Sequence, residues 1–400
     1  MARSAAVTIL FVSATLYWIG FSMLRPMVAL YFNDAGYAMA WIGLLMALHA
    51  FVPVLLAMPA GQVIDRIGTR RAIGLGSAVM LLSGLCYVWG ASAGLLLPIL
   101  IAQLCNGVGS LLGWGAMQAA IGQSAKGRAS RQGNRLLANF AFANALAQFA
   151  GPILGGILAD AGSFNWVFLT FCGCAVLCGA SALFVPRMQR RTSSAEVDFQ
   201  FWRSYGSGVD LLRHNRAFSI AMLFNGVLFI LVDVKSTFLP IYLANLAYSN
   251  TQIGTLLSIG GVASIVIRPL VGTLMDRLGP RWILHGSLWA GCACLAALML
   301  EPGYAGIAAI VFVWGLCTGV NQPIALILVA RTVASERQGM GMSLRTMANR
   351  IIQVVNPVAI GGISALIGLT WSFGLIAASL LGFSLAMRGA MTEPERERYS

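Results

Sequence analysis

Charge is what this chain has least of. Only 10% of its 400 residues are Asp, Glu, Lys or Arg, against about 25% in a soluble domain. So few charged groups cannot solvate a globule of this size, which excludes a water-soluble protein. Acids are scarcer still, with 13 Asp and Glu against 26 Lys and Arg and 3 His. The net charge of +13 would suggest nucleic acid in a soluble protein. Here the basic residues lie in short loops between apolar runs, so no nucleic-acid partner is expected. No GxxxxGK[ST] loop is present, which removes ATP as the direct source of energy. No nucleophile, base and orienting group cluster together, so neither catalysis nor a cofactor is expected. The eight cysteines all fall inside apolar runs. Cys172-x-Cys174 and Cys292-x-Cys294 have no His or carboxylate beside them. They read as small packing residues rather than metal ligands or disulfides.

What the chain has is apolar length. It is 58% hydrophobic with a mean hydropathy of +0.80. Stretches of about 20 apolar residues recur throughout, each enough to cross a ~30 Å hydrocarbon core as a helix. They are continuous runs, not the alternating ten-residue segments of a barrel. The spacing predicts an all-α integral membrane protein of twelve spans. The first span starts at the N-terminus and continues through Tyr17, Trp18 and Phe21 to Tyr31 without a small-residue cleavage site. Loops at 62–71, 122–135, 187–216, 274–282 and 331–339 hold nearly all the Lys and Arg outside the spans, and the opposite loops hold none. Basic loops stay inside, so both termini are expected in the cytoplasm, in a bacterial-type inner membrane.

The spans repeat. Gly61-Gln62-Val63-Ile64-Asp65-Arg66-Ile67-Gly68-Thr69-Arg70-Arg71 returns as Gly272-Thr273-Leu274-Met275-Asp276-Arg277-Leu278-Gly279-Pro280-Arg281. Asp65 and Asp276 are 211 positions apart, and the same offset pairs Tyr31 with Tyr242 and Gly43 with Gly254. One register held over about fifty positions means a duplicated unit. We read residues 1–186 as one six-helix half, 187–216 as a cytoplasmic linker and 217–400 as the second half with a short tail. In the linker Phe199, Phe201, Trp202, Leu211 and Leu212 stand among arginines, a pattern suited to a helix on an anionic lipid surface.

With the GxxxDRxGRR loop at Gly61, Asp65, Arg66, Gly68, Arg70 and Arg71, the chain resembles the major facilitator superfamily over essentially its whole length. The second copy, at Gly272, Asp276, Arg277, Gly279 and Arg281, is weaker, with Pro280 at a basic position. The resemblance implies two pseudo-symmetric six-helix halves, and a gating role for the motif acid, which caps and pairs with groups of the opposite half. A carboxylate at a positive helix start is worth a few tenths to ~1 kcal/mol. Gly151-Pro152-Ile153-Leu154-Gly155-Gly156 is similar to a motif of drug:proton antiporters and other exporters. There Pro152 kinks its helix and Gly151, Gly155 and Gly156 allow close packing. Its second-half counterpart begins Asn356-Pro357. The sequence departs from that branch on the fourth span. Gln103, followed by Asn106 and Gly107, stands where proton antiporters usually carry Arg.

Ionisable groups inside a bilayer are functional candidates by default. Arg25, Asp233, Lys235, Arg268, Arg345 and Arg350 fall within spans, with His49 as a further titratable group. Asp233 and Lys235, two apart, point in different directions on a helix. An offset of 206 places Asn139 and Asn144 where the second half has Arg345 and Arg350. Arg268 and Arg345 also suit structural anchoring near the inner mouth. Five cations against one acid favour an anionic or zwitterionic solute. The expected substrate-binding set is Arg25, Asn139, Asn144, Asp233, Lys235, Arg345 and Arg350, with coupling at Asp233 or His49. These residues suggest a monomeric secondary transporter exporting a small organic solute by alternating access, linked to protons. Uptake of a carboxylate nutrient, broad drug efflux and a non-transporting sensor are the alternatives.

Overall fold

The computed structural model describes residues 2–126, 130–185, 201–333 and 337–388. It is helical throughout, as lipid requires, because a helix satisfies its own backbone polar groups. Before the linker lie α1 (Ala2–Asp34), α2 (Met39–Ile67), α3 (Thr69–Ala93), α4 (Leu96–Lys126), α5 (Ser130–Ala161) and α6 (Phe164–Ala182). The short α7 (Phe201–His214) leads into α8 (Arg216–Asn245) and α9 (Asn250–Ile267). A 3-10 turn at Arg268–Leu270 then precedes α10 (Val271–Leu298), α11 (Tyr304–Gly319), α12 (Asn321–Thr332), α13 (Gln338–Ile367) and α14 (Leu369–Ala386). Of the linker residues singled out by sequence, Phe199 lies outside the described residues. Phe201, Trp202, Leu211 and Leu212 fall on α7.

Eleven helical stretches among the described residues are long and apolar enough to cross a bilayer. One of them, Asn250–Leu298, has 49 residues, about 74 Å at 1.5 Å per residue and twice what one crossing needs. It breaks at Gly279, where φ is 77° and ψ 156°. Counted as two crossings, it brings the total to the twelve that the sequence suggests.

The expected loops at 62–71 and 274–282 are corrected by the structure: both are helical except at one residue. Helix α2 runs to Ile67 and α3 starts at Thr69, with Gly68 between them at φ 83° and ψ 150°. Hydropathy marks where the chain leaves lipid. Gln, Ile, Asp and Arg are tolerated in a helix that continues into water. The break needs a positive φ, which a side chain resists, so Gly68 and Gly279 carry it in both copies. The 211 offset recurs at Gly36 (φ 77°) and Ala247 (φ 61°), in the turns before α2 and α9.

The helices form two compact units. One comprises Met1–Gly36, Leu45–Phe201 and Leu246–Ser258, the other Tyr37–Leu44, Trp202–Asn245 and Ile259–Ser400. Each repeat therefore lends the other the start of its own second helix. In the first unit α3 packs on α4 and α6, and α1 on α5 and α6. A Cβ on Gly76 would meet the backbone of Gly113 and the Gly109 carbonyl, so α3 and α4 touch at backbone distance. In the second unit α10 packs on α11 and α14, and α8 on α12 and α13.

Candidate substrate site and gates

In the first unit, residues of α1, α2, α3 and α4 line a small, partly open recess. Its polar lining is Arg25, His49, Tyr87, Gln103 and Asn106. The sequence of a membrane helix rarely buries amides, yet Gln103 and Asn106 are 3% and 4% exposed. His49 is equally buried and its Nδ1 donates to the Met46 carbonyl at 2.7 Å. The Asn106 side chain engages the Tyr87 hydroxyl, while its Oδ1 is buried with no hydrogen-bond partner. Phe21 lines the same recess and joins it to an aromatic cluster. Tyr17 stacks on Trp114 at 5.8 Å and Trp114 on Phe140 at 5.9 Å, while Trp18 meets Trp114 edge-on at 5.1 Å. A cation and two amides thus adjoin a run of rings on α1, α4 and α5.

The second unit holds the remaining intramembrane charges except those that α1 supplies. Asp233 on α8 is fully buried and accepts from Asn356 Nδ2 on α13 at 2.7 Å. Lys235, two residues on, donates to Thr318 Oγ1 on α11 at 2.9 Å, and that hydroxyl donates to the Trp314 carbonyl. Acid and base thus engage different helices. Arg350 donates from Nη1 to Gln353 Oε1 one turn along α13 at 3.0 Å. The Nε atoms of Arg268 and Arg345 are buried without a hydrogen-bond partner. Among the described residues no carboxylate lies within ion-pair reach of Lys235, Arg268 or Arg345. Of the two α5 amides that the sequence pairs with α13, Asn144 is 6% exposed with Oδ1 unsatisfied, while Asn139 is exposed. The helix contacts at Pro152 and Pro357 set the offset at 205 rather than 206, which pairs these amides with Asn349 and Leu344 instead of Arg350 and Arg345.

The gate motifs flank Gly68 and Gly279. Gly61 and Asp65 fall in the last turns of α2, where their side chains lie outside the described residues. Asp65 stands at the negative end of its own helix, so any positive helix start it meets belongs to another segment. Arg66 and Arg71 are exposed and Arg70 is half-buried. In the second copy Asp276 approaches Arg331 of α12 at 3.8 Å, its side chain 74% exposed, a contact worth under about 1 kcal/mol. Gly272, Arg277 and Arg281 surround it in sequence. On α5, a Cβ on Gly151 would strike Ser22, and one on Gly155 would press on Met23 and Met27, so these glycines seat α5 on α1. Gly156 faces elsewhere, toward the Asn250 carbonyl of α9. Sequence reasoning missed Asp160, whose carboxylate receives three hydrogen bonds from Asn250 and Thr251. Its partners are ninety residues away, so no local pattern marks it.

Comparison with known proteins matches the profile described as "Major Facilitator Superfamily" to residues 10–244 and 230–399. The chain is 23% identical over 380 residues to "Multidrug resistance protein MdtG" of Proteus mirabilis, covering 90% of this chain and 89% of that one. The protein of the same name from Citrobacter koseri is 25% identical over 391 residues, with 92% of each covered. Among solved structures, the nucleoside transporter NupG aligns with a TM-score of 0.80 at 12% identity over 96% of this chain and 100% of that chain. A POT family transporter aligns at 0.77 and 13% identity, with 95% of each covered. At that identity the structures share the fold.

Proposed function

The chain belongs to the major facilitator superfamily, and from that premise we propose that it exports a small organic anion or zwitterion with an aromatic or apolar body. One observation carries the reading. Lys235, Arg268 and Arg345 lie in bilayer-spanning stretches, and among the described residues no carboxylate is within ion-pair reach of them. Unpaired cations there cost several kcal/mol, and Arg does not escape by deprotonating. A substrate carboxylate, sulfonate or phosphate supplies the missing charge and can take a guanidinium by paired hydrogen bonds. The ring cluster beside Arg25 suits the apolar part of such a molecule. Efflux rather than uptake follows the relatives, which are multidrug resistance proteins by name.

In this reading Arg25, Lys235, Arg345, Arg350, Asn139 and Asn144 contact substrate. Asp233 carries a proton, with His49 as the second titratable position, and the two DRxG motifs gate the cytoplasmic side. The protein works as a monomer in an inner membrane, with both termini in the cytoplasm and anionic lipid around α7. The test is flux into proteoliposomes under a pH gradient, with an aromatic carboxylate and a quaternary ammonium of matched size. Accumulation of the carboxylate alone supports the reading. Accumulation of the ammonium alone overturns it in favour of cationic-drug efflux.

A further inference from the structure

Within the first unit, α5 and α9 cross with their backbones in contact. A Cβ on Gly156 would strike the carbonyl of Asn250, and one on Gly254 the carbonyl of Pro152. Two side chains fasten the crossing at its ends. Ser258 Oγ donates to the Phe149 carbonyl at 2.7 Å. In the last turn of α5, Asp160 Oδ1 accepts from the Asn250 N–H at 3.1 Å and from Asn250 Nδ2 at 2.9 Å, and Oδ2 accepts from the Thr251 N–H at 2.7 Å. Asn250 and Thr251 open α9, whose first N–H groups have no partner inside the helix. The carboxylate therefore closes two orphan donors and sits at the positive end of the helix.

The repeat supplies an internal control. In the second unit Gly43 of α2 lies against the Pro357 carbonyl of α13, and Gly361 against the Met39 carbonyl. This is the same crossing, related by the 211 offset on one helix and 205 on the other. The positions matching Ser258 and Asp160 are Ala47 and Ala365, so that crossing has neither polar fastening. A crossing of this kind thus forms without an acid or a hydroxyl at those two positions, and the Asp160 contacts are additional to the glycine packing. They are also exposed to water, which can take over each hydrogen bond when the contact opens. Such a contact is strong enough to bias an equilibrium and weak enough to be remade every cycle.

We propose that Asp160 is a gating latch, which holds the start of α9 against the end of α5 on the face opposite the DRxG motifs and lets go once in each transport cycle. The proposal rests on the transport reading above and assigns a gate to the face where the sequence showed none.

The experiment uses the full chain in detergent with Ser258→Cys as reporter, since Ser258 is 1% exposed in the closed crossing. The rate of its reaction with a hydrophilic maleimide is read above the background of the native thiols. Asp160→Ala is expected to raise that rate about tenfold, the scale of losing charge-assisted hydrogen bonds in water. Asp160→Asn, which keeps the shape and loses the charge, is expected to raise it less and covers the case in which the alanine variant fails to fold. Adding Asp65→Asn, which weakens the opposite gate, should pull the rate back toward that of the parent. An unchanged rate in well-folded Asp160→Ala and Asp160→Asn overturns the latch while leaving the anion-flux test untouched. A rise that Asp65→Asn does not reverse shows local fraying of α9 and also overturns it.

Discussion

At the scale of single residues, the chemistry turns on which charges have partners. Asp233 is the one intramembrane acid that the sequence singles out, and Asn356 holds it from the neighbouring helix. If it carries the coupling proton, Asp233→Asn abolishes accumulation driven by a pH gradient but preserves substrate exchange. Uphill transport surviving in Asp233→Asn would move coupling to His49. Arg25 borders both the polar recess and the rings, so it is expected to hold the substrate's anionic head. Arg25→Ala should weaken binding by about 2–5 kcal/mol if the site is desolvated, with Arg25→Lys between it and wild type because the charge stays and the fork is lost. Titration calorimetry decides, and equal affinity in Arg25→Ala at unchanged yield sinks that role. The identity of these charges was legible in the sequence, because an ionisable residue stands out against an apolar run. Their partners were not. Thr318 beside Lys235 and Asn356 beside Asp233 are ordinary residues in their own helices, and only packing brings them near.

At the scale of helices, the repeat was readable and the ends were not. The 211 offset pairs the two backbone breaks, since Gly68 and Gly279 adopt nearly the same glycine-only conformation. It did not anticipate that the break is one residue long, because basic residues end an apolar run without ending a helix. The glycines of the crossings allow a sharper forecast. Gly43→Ala puts a methyl group onto the Pro357 carbonyl and should cost about 1–3 kcal/mol through overpacking. Gly74→Ala on α3 meets open space and should gain a little from helix propensity, up to about 1 kcal/mol. Thermal melting in detergent compares the two. A Gly43→Ala protein as stable as its parent would mean that α2 and α13 are not in backbone contact.

At the scale of the molecule, the asymmetry of Lys and Arg among the loops sets the expected topology. A reporter fused after Ser400 should be active in the cytoplasm only, and one inserted at Asp34 or Asn165 outside only. Activity of the Ser400 fusion outside would reverse the orientation of every helix. The exchange of segments described earlier has a further consequence, for synthesis. Residues 37–44 complete a unit whose other parts begin at Trp202, and Pro357, against which Gly43 packs, follows it by 357 − 43 = 314 residues of synthesis. At ordinary translation speed the delay is on the order of tens of seconds. Throughout that time the close-packing face of Gly43 has to be covered by lipid or by the insertion machinery. The early helices cannot reach their final packing one by one as they emerge. A stop codon before α13 would therefore release a chain with a misassembled beginning as well as a missing end.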